Sequence, residues 1–402
     1  MSLRRLFSNL NVQLAATLLV VALVLVCRAP QALADPQFWA EDGSVFFRDQ
    51  FVLGAKVIWQ PYAGYMVLLL RLFALVMDLL VSLRWIPAAY AWGSLLVTLL
   101  VIGSIFSKRL RLNHKPVLAL AFVLVPHTHA AIFLNMTNLL WLTSFLALLV
   151  FLKEPPDLST TSGKWQAAGD VLCLVLVGLT GPFIIFLVPA AIWIWWWRGR
   201  HKYHQIMIIL AAAVALVQGI VILQLISQVE RNYSVTLWTA IDVFLVRNVG
   251  MLFLGTHLTF ALPRWIPLLL GLTVLLALSW LYGFRHPKQR YLLGLILYFG
   301  LLSGFSAVSA CQYATNPYGA RYTFIPFVLL TWLLVVGLDV LEKGGRVAIW
   351  CLLGIILLTG VTSQFRQQPR PPSSWPEHSA AIGAGKIEII PILPDGWIID
   401  LP

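Results

Sequence analysis

Apolar residues in this chain come in long unbroken runs, without the alternation of a strand that keeps one face in water. The runs cover about 10–27, 63–81, 85–106, 116–134, 138–152, 169–197, 205–228, 263–284, 291–309, 323–341 and 346–363. Most approach the roughly 20 residues a helix needs to cross a bilayer. Continuous runs of this kind predict helices, because a helix satisfies its own backbone where water is absent. The expected fold is all-α: a polytopic transmembrane bundle of about eleven helices over residues 1–363, followed by a short external tail over 364–402.

Basic residues gather between the runs. They form Arg4-Arg5, "KRLRLNHK" (108–115), "RGRHK" (198–202), "RHPKQR" (285–290) and "EKGGR" (342–346). Short basic loops mark the cytoplasmic side. With Arg4-Arg5 inside, the first loop 28–62 and the tail lie outside. If every run crosses once, "KRLRLNHK" falls on the wrong side. If 63–106 crosses once and 169–197 crosses twice, every basic loop lies inside. Both schemes give eleven crossings, and the sequence leaves them open. The turn in the second scheme would be Thr180-Gly181-Pro182, since a Gly-Pro pair can reverse the chain and Pro182 can start a helix.

Several segments depart from the pattern. Residues 1–34 combine an early basic pair, an apolar core and "ALA" before Asp35, as in a signal peptide. The core is long enough to span, and it is read as an uncleaved first helix. Segment 234–257 is apolar but carries Asp242 and Arg247, and a crossing there would turn every later basic loop outward. It is read as an external helix lying in the interface. "IWIWWWRGR" (192–200) is an aromatic belt ending in a basic anchor. In the tail, 366–379 is a proline-rich strap and 386–402 reads as two short strands about a Pro-Asp-Gly turn.

Composition sharpens the class. The chain is 60% hydrophobic and 11% charged, where soluble domains carry about 25% charged residues. Its net charge of +12 is spread over the inter-helix clusters, which argues against nucleic acid as a partner. The four cysteines are scattered and suggest neither a metal site nor a disulfide framework.

The chemistry concentrates in a few places. "DPQFWAEDGSVFFRD" (35–49) holds four of the sixteen acidic residues just past the first run. Asp42 is placed to cap a helix over 43–59. Glu41 or Asp42, with Asp42 preferred, could serve as a general base toward a hydroxyl acceptor. Phe38, Trp39, Phe46 and Phe47 would seat the loop among lipid headgroups. "NPYGARYTFIP" (316–326) would set Arg321 and Tyr322, beside Tyr318, at the same outer surface, where a guanidinium matches phosphate. Arg71 and Asp78 share one helix face, and an intramembrane Arg marks a pair or a substrate contact. "PHTHAAIFLNMTNLLW" (126–141) clusters His127, His129, Asn135 and Asn138 at a helix end as polar lining. Arg247, with Tyr65 from "QPYAGYM", completes the candidate substrate-binding set.

An acidic pair in the first external loop of a multi-helix bundle resembles the GT-C class of membrane glycosyltransferases, which includes protein O-mannosyltransferases and lipid A aminoarabinose transferases. "QPYAGYMVLLLRL" (60–72) is similar to the segment leading to that group's second helix. "GLTGPFIIFLVP" (178–189) is similar to its Gly-Leu…Lys-Gly-Pro turn, with Thr180 where the group has Lys. "FWAEDG", "GPF" and "GARYTFIP" also resemble bacterial inner-membrane proteins of similar size. The resemblance implies a polyprenyl-phosphate sugar donor, inversion at the anomeric carbon, and the loop acid as base. The function expected is transfer of that sugar to a cell-envelope glycan or lipid at the periplasmic face of the bacterial inner membrane. The N-terminus would be cytoplasmic and the C-terminus periplasmic. Neither a metal nor another cofactor is indicated. A glycan polymerase or ligase is a close variant. A flippase of lipid-linked sugars is the rival, and it needs no base.

Overall fold

The computed structural model describes residues 9–126, 132–225, 236–309, 319–362, 365–367, 369–386 and 389–402. Arg4-Arg5, His127, His129, Cys311 and Tyr318 lie outside the described residues. Helices dominate. They are α1 (Leu10–Arg28), α2 (Arg48–Leu53), α3 (Leu68–Leu80), α4 (Ile86–Gly103), α5 (Lys115–Leu124), α6 (Leu139–Leu152), α7 (Thr161–Gly178), α8 (Phe183–Trp197) and α9 (Lys202–Leu225). They continue with α10 (Leu237–Ala261), α11 (Trp265–Trp280), α12 (Leu293–Ser309), α13 (Ala320–Val340), α14 (Lys343–Thr362) and α15 (Trp375–Gly383). A hairpin of β1 (Ile389–Ile392) and β2 (Trp397–Asp400) ends the chain. Among the described residues eight helices are long and apolar enough to cross a membrane.

Side-chain bonds sort the helix ends into two sets. At one end Arg198 Nη1 donates to the Phe151 and Leu152 carbonyls at 3.0 and 2.8 Å, and Trp193 Nε1 to the Arg290 carbonyl at 2.9 Å. His114 lies 3.4 Å from Asp339, and Arg285 lies 3.7 Å from Glu342. Gly103 sits beside Leu14 and Leu18 of α1. The clusters around 108–115, 198–202, 285–290 and 342–346 therefore share this basic end. At the opposite end Arg28 Nη1 donates to the Val123 carbonyl at 3.0 Å. The first loop and the tail gather there.

This sorting shows which runs connect the two ends of the bundle. α3 does not. Its first residue donates to the Leu179 carbonyl at 2.9 Å, and the chain leaving it returns to Leu83, whose carbonyl accepts Trp375 Nε1 at 3.0 Å. Both ends of α3 thus lie at the end opposite the basic clusters. Segment 63–106 passes between the two ends once, through α4. Segment 169–197 folds in two, α7 and α8 turning at Thr180-Gly181-Pro182. Gly181 has φ +87°, a conformation an L side chain resists, and this explains the residue at the turn. Among the described residues α1, α4, α9 and α11 to α14 are long and apolar enough to span, and α5, α6 and α8 are shorter apolar helices packed among them.

α10 is long and apolar enough to span. Its partners place it otherwise. Val243 packs with Ala307 and Tyr322, Asn248 Nδ2 donates to Ser303 Oγ at 2.6 Å, and the Leu252 carbonyl accepts Thr359 Oγ1 at 3.3 Å. All three contacts fall near the same end of α12, α13 and α14. The chain breaks helical geometry at Gly255 and re-enters the bundle as α11.

α13 is the central helix, with 89% of its span buried inside the molecule. Its Trp332 donates from Nε1 to the Leu118 carbonyl at 2.9 Å. The helix expected over 43–59 is instead three short pieces: a π-helical turn Asp42–Phe47, α2, and a 3₁₀ turn Gly54–Trp59. The wide first turn and the break at Gly54, with φ +58°, interrupt the expected helix. The strands of the tail form where the sequence pattern puts them, and α15 is an addition. Trp375 inserts edge-on against Phe38 and Phe47, with ring centroids 4.8 and 5.3 Å away.

Candidate active site

Glu41 and Asp42 are consecutive, and the fold sends them to different surroundings. Ala40 before them is held at φ +45°, a left-handed conformation costing a non-glycine residue about 1–3 kcal/mol. Its N–H donates to the Leu393 carbonyl of the tail, so the hairpin fixes the turn from which both acids project. Gly43 follows, and a Cβ there would come within 2.8 Å of Ile392 and 2.9 Å of Ile399. A Cβ would also come within 2.9 Å of Phe38 Cβ, so a larger residue must shift Phe38 as well as the two isoleucine ends.

Asp42 points into the protein and is 2% exposed. Its oxygens accept from the Thr137 N–H at 2.7 Å, the Thr137 hydroxyl at 2.5 Å and the Met136 N–H at 3.1 Å. It is no cap of its own helix, because it reaches across to the segment that starts α6. Burial pushes its carboxyl up to about 7, against the three hydrogen bonds that pull it down.

Glu41 faces the other way. Its Oε1 lies 3.9 Å from Arg321 Nη1, and the side chains are 12% and 33% exposed. Arg321 sits in the first turn of α13, its guanidinium 5.5 Å from the Tyr322 ring centroid. Tyr322 meets Trp141 at 5.2 Å, and Trp141 meets Phe183 at 4.9 Å. Tyr65 lies within electrostatic reach of Glu41, Arg321, Tyr62 and Tyr322, and burial pushes its hydroxyl well up, keeping it protonated as a donor. The result is one carboxylate and one guanidinium, partly open to solvent and walled by tyrosine, tryptophan and phenylalanine.

Other candidates lie apart from this pair. Arg71 is 1% exposed, lies 3.0 Å from Asp49 and stacks over Phe46 at 5.0 Å. Asp78, which shares its helix, accepts instead from Gln50 at 3.3 Å. Arg247 pairs with Asp242 at 3.3 Å, and Asp242 also receives Arg264. Asn138 heads α6, with its N–H donating to Asn135 Oδ1 at 3.0 Å. Sequence reasoning missed Thr137, Trp141 and Phe183. The last two look like ordinary helix-start aromatics until α6, α8 and α13 converge. Among the described residues no group of three or more His, Cys, Asp or Glu is placed to hold a metal.

Comparison with known proteins finds no matching family model and no matching curated protein. Among solved structures, the chain is similar to the Archaeoglobus fulgidus oligosaccharyltransferase, crystallised in complex with Zn and sulfate. The identity is 12% and the TM-score 0.42, over 88% of this chain and 54% of that one. The chain thus spans about half the length of the protein it matches.

Proposed function

We propose that this chain is a membrane glycosyltransferase that moves a sugar from a polyprenyl-phosphate donor to a hydroxyl of a cell-envelope glycan or lipid. The observation that carries the reading is the Glu41–Arg321 pair, 3.9 Å apart in an aromatic-walled mouth at the end of the bundle opposite the basic loops. By the positive-inside rule those loops face the cytoplasm, so the mouth faces the periplasm of a bacterial inner membrane.

In this reading Glu41 is the base, in preference to Asp42. The Asp42 oxygens are buried under three donors, whereas the Glu41 carboxylate reaches the surface beside Arg321. The acceptor hydroxyl gives its proton to Glu41, and its oxygen forms a bond to the anomeric carbon. The bond from that carbon to the phosphate oxygen breaks, and the electron pair leaves with the phosphate. Arg321 neutralises the departing charge, and attack opposite the leaving group inverts the centre. Tyr65, Tyr322 and Trp141 offer the stacking faces and hydroxyl donors that suit a sugar ring.

The test is transfer of labelled sugar from a polyprenyl-phosphate donor by purified protein in nanodiscs. Transfer by the intact chain and its loss in Glu41→Gln support the reading. A chain that moves lipid-linked sugar across vesicles, transfers none, and is indifferent to Glu41→Gln is a flippase.

A further inference from the structure

Gln218 lies in the middle of an apolar helix, sixteen residues past the basic cluster that ends at Lys202, and nothing in the sequence singles it out. It is completely buried. Its side-chain amide makes four hydrogen bonds, none of them within α9. Oε1 accepts from the Met66 N–H at 2.9 Å. Nε2 donates to the carbonyls of Met66 at 3.2 Å, Gly178 at 3.2 Å and Gly181 at 3.1 Å. Two hydrogens serve three carbonyls, so one bond is shared. The opposite amide orientation would face an oxygen to those carbonyls, which fixes the assignment.

These bonds join three pieces of chain. Gly178 and Gly181 bracket the turn between α7 and α8. The turn already pairs with the 66–69 segment: Gly181 N–H donates to the Met66 carbonyl at 2.9 Å, and Leu69 N–H to Thr180 Oγ1 at 2.8 Å. Gln218 pins this seam to α9. A Cβ on Gly178 would come within 2.7 Å of Val214, one turn before Gln218, so the backbones approach closely there. The seam carries two walls of the candidate site. Tyr65 immediately precedes Met66, locked by reciprocal backbone bonds with Tyr62 of 2.9 and 3.1 Å. On the other side Phe183 lies two residues past Gly181 and leads through Trp141 to Tyr322 and Arg321.

We infer that Gln218 is a positioning residue for the Glu41–Arg321 site: its amide holds the Tyr65 wall and the Phe183 wall in one geometry. The role of the site in sugar transfer rests on the function proposed above, whereas the clamp itself does not. Buried polar groups this fully satisfied specify one arrangement of the elements they join, and their loss leaves four backbone groups without that partner.

The experiment uses the full chain with Cys27, Cys173, Cys311 and Cys351 replaced by serine, in nanodiscs. Gln218→Met matches the length of the side chain and removes every bond. Gln218→Asn, which keeps the amide one methylene short, is the second variant should the first fail to accumulate. The first readout is the alkylation rate of Tyr65→Cys, expected to rise about tenfold when either Gln218 change is added, as the seam opens locally. The second is a kinetic cycle with Tyr65→Phe. Loss of Gln218 should lower kcat/KM by roughly 10²-fold, with the double variant falling well short of the product of the single effects. Unchanged alkylation overturns the inference. So do kinetic effects that multiply independently, which would reduce Gln218 to general packing. If the intact chain transfers no sugar, the glycosyltransferase reading falls and the alkylation arm still decides the clamp.

Discussion

At Asp42 the burial of a carboxylate and its three hydrogen bonds pull in opposite directions. Burial wins and pushes its carboxyl up to about 7, above the ordinary value of about 3.9. Between those values the folded chain holds a proton that the unfolded chain has lost. Asp42 therefore makes stability fall as pH rises from about 4 to about 7, with no further change above that. Asp42→Asn should flatten this part of the curve. It should also lower stability at acid pH by about 1–3 kcal/mol, because an Asn NH₂ meets the Met136 N–H head-on. Thermal melts of both proteins in detergent from pH 4 to 8 check this, and parallel curves would remove Asp42 as the source. Arg321 supplies the second residue-scale prediction. Arg321→Lys keeps the charge and loses the planar fork, so the donor concentration for half-maximal rate should rise about tenfold. An unchanged value would make Arg321 an interfacial anchor. The acidic pair and Arg321 were visible in the sequence as a local cluster and a loop-end cation. Which acid faces outward was not, because that depends on Thr137, ninety-five positions from Asp42.

Among elements, the tail does the most that its composition conceals. The Gln367 N–H donates to the Arg28 carbonyl at 2.7 Å, the Arg370 N–H to Gln31 at 2.6 Å and the Ser373 N–H to Asp35 at 2.9 Å. Arg48 donates to the Asp400 carbonyl at 2.9 Å. The strap and hairpin thus splint the first loop along its length. Deleting 387–402 should leave the bundle folded but free the loop, and activity should drop by roughly 10²-fold because misplacing a catalytic group by about 1 Å costs that much. Limited proteolysis would show new cleavage within 35–60. Gly43→Val should act in the same direction, since its side chain would displace Ile392 and Ile399. Full activity in both variants would make the tail a passenger. The two strands were legible from the Pro-Asp-Gly turn between apolar residues. α15 was not, since a proline-rich stretch masks a helix that Trp375 anchors through the rings of Phe38 and Phe47 and the Leu83 carbonyl, all distant in sequence.

For the whole molecule, run length predicted a polytopic helical bundle, because hydrocarbon thickness dictates how many apolar residues a helix must supply; eleven crossings were expected, and among the described residues eight helices are long and apolar enough to cross. Run length could not say that α3, thirteen residues long, lies at the end opposite the basic clusters while the 169–197 run folds in two. That distinction rests on Leu68, Thr180 and Gln218, whose polar bonds form only in the assembled bundle. α10 shows the same limit from the other side, since it is apolar enough to span and lies across the helix ends. If the basic end faces the cytoplasm, a single cysteine at Ala380 should react with an impermeant maleimide added to intact cells. A cysteine at Arg111 should react only after permeabilisation. The reverse pattern would move the site to the cytoplasmic face.

The central claim, that Glu41 takes the acceptor proton beside Arg321, is tested most directly by single-turnover transfer of labelled sugar by Glu41→Gln and Asp42→Asn in the same nanodiscs. The chemical step should slow by roughly 10²-fold or more in Glu41→Gln, with donor binding retained, and by less in Asp42→Asn. A wild-type rate for Glu41→Gln, with loss confined to Asp42→Asn, would contradict the assignment of the base.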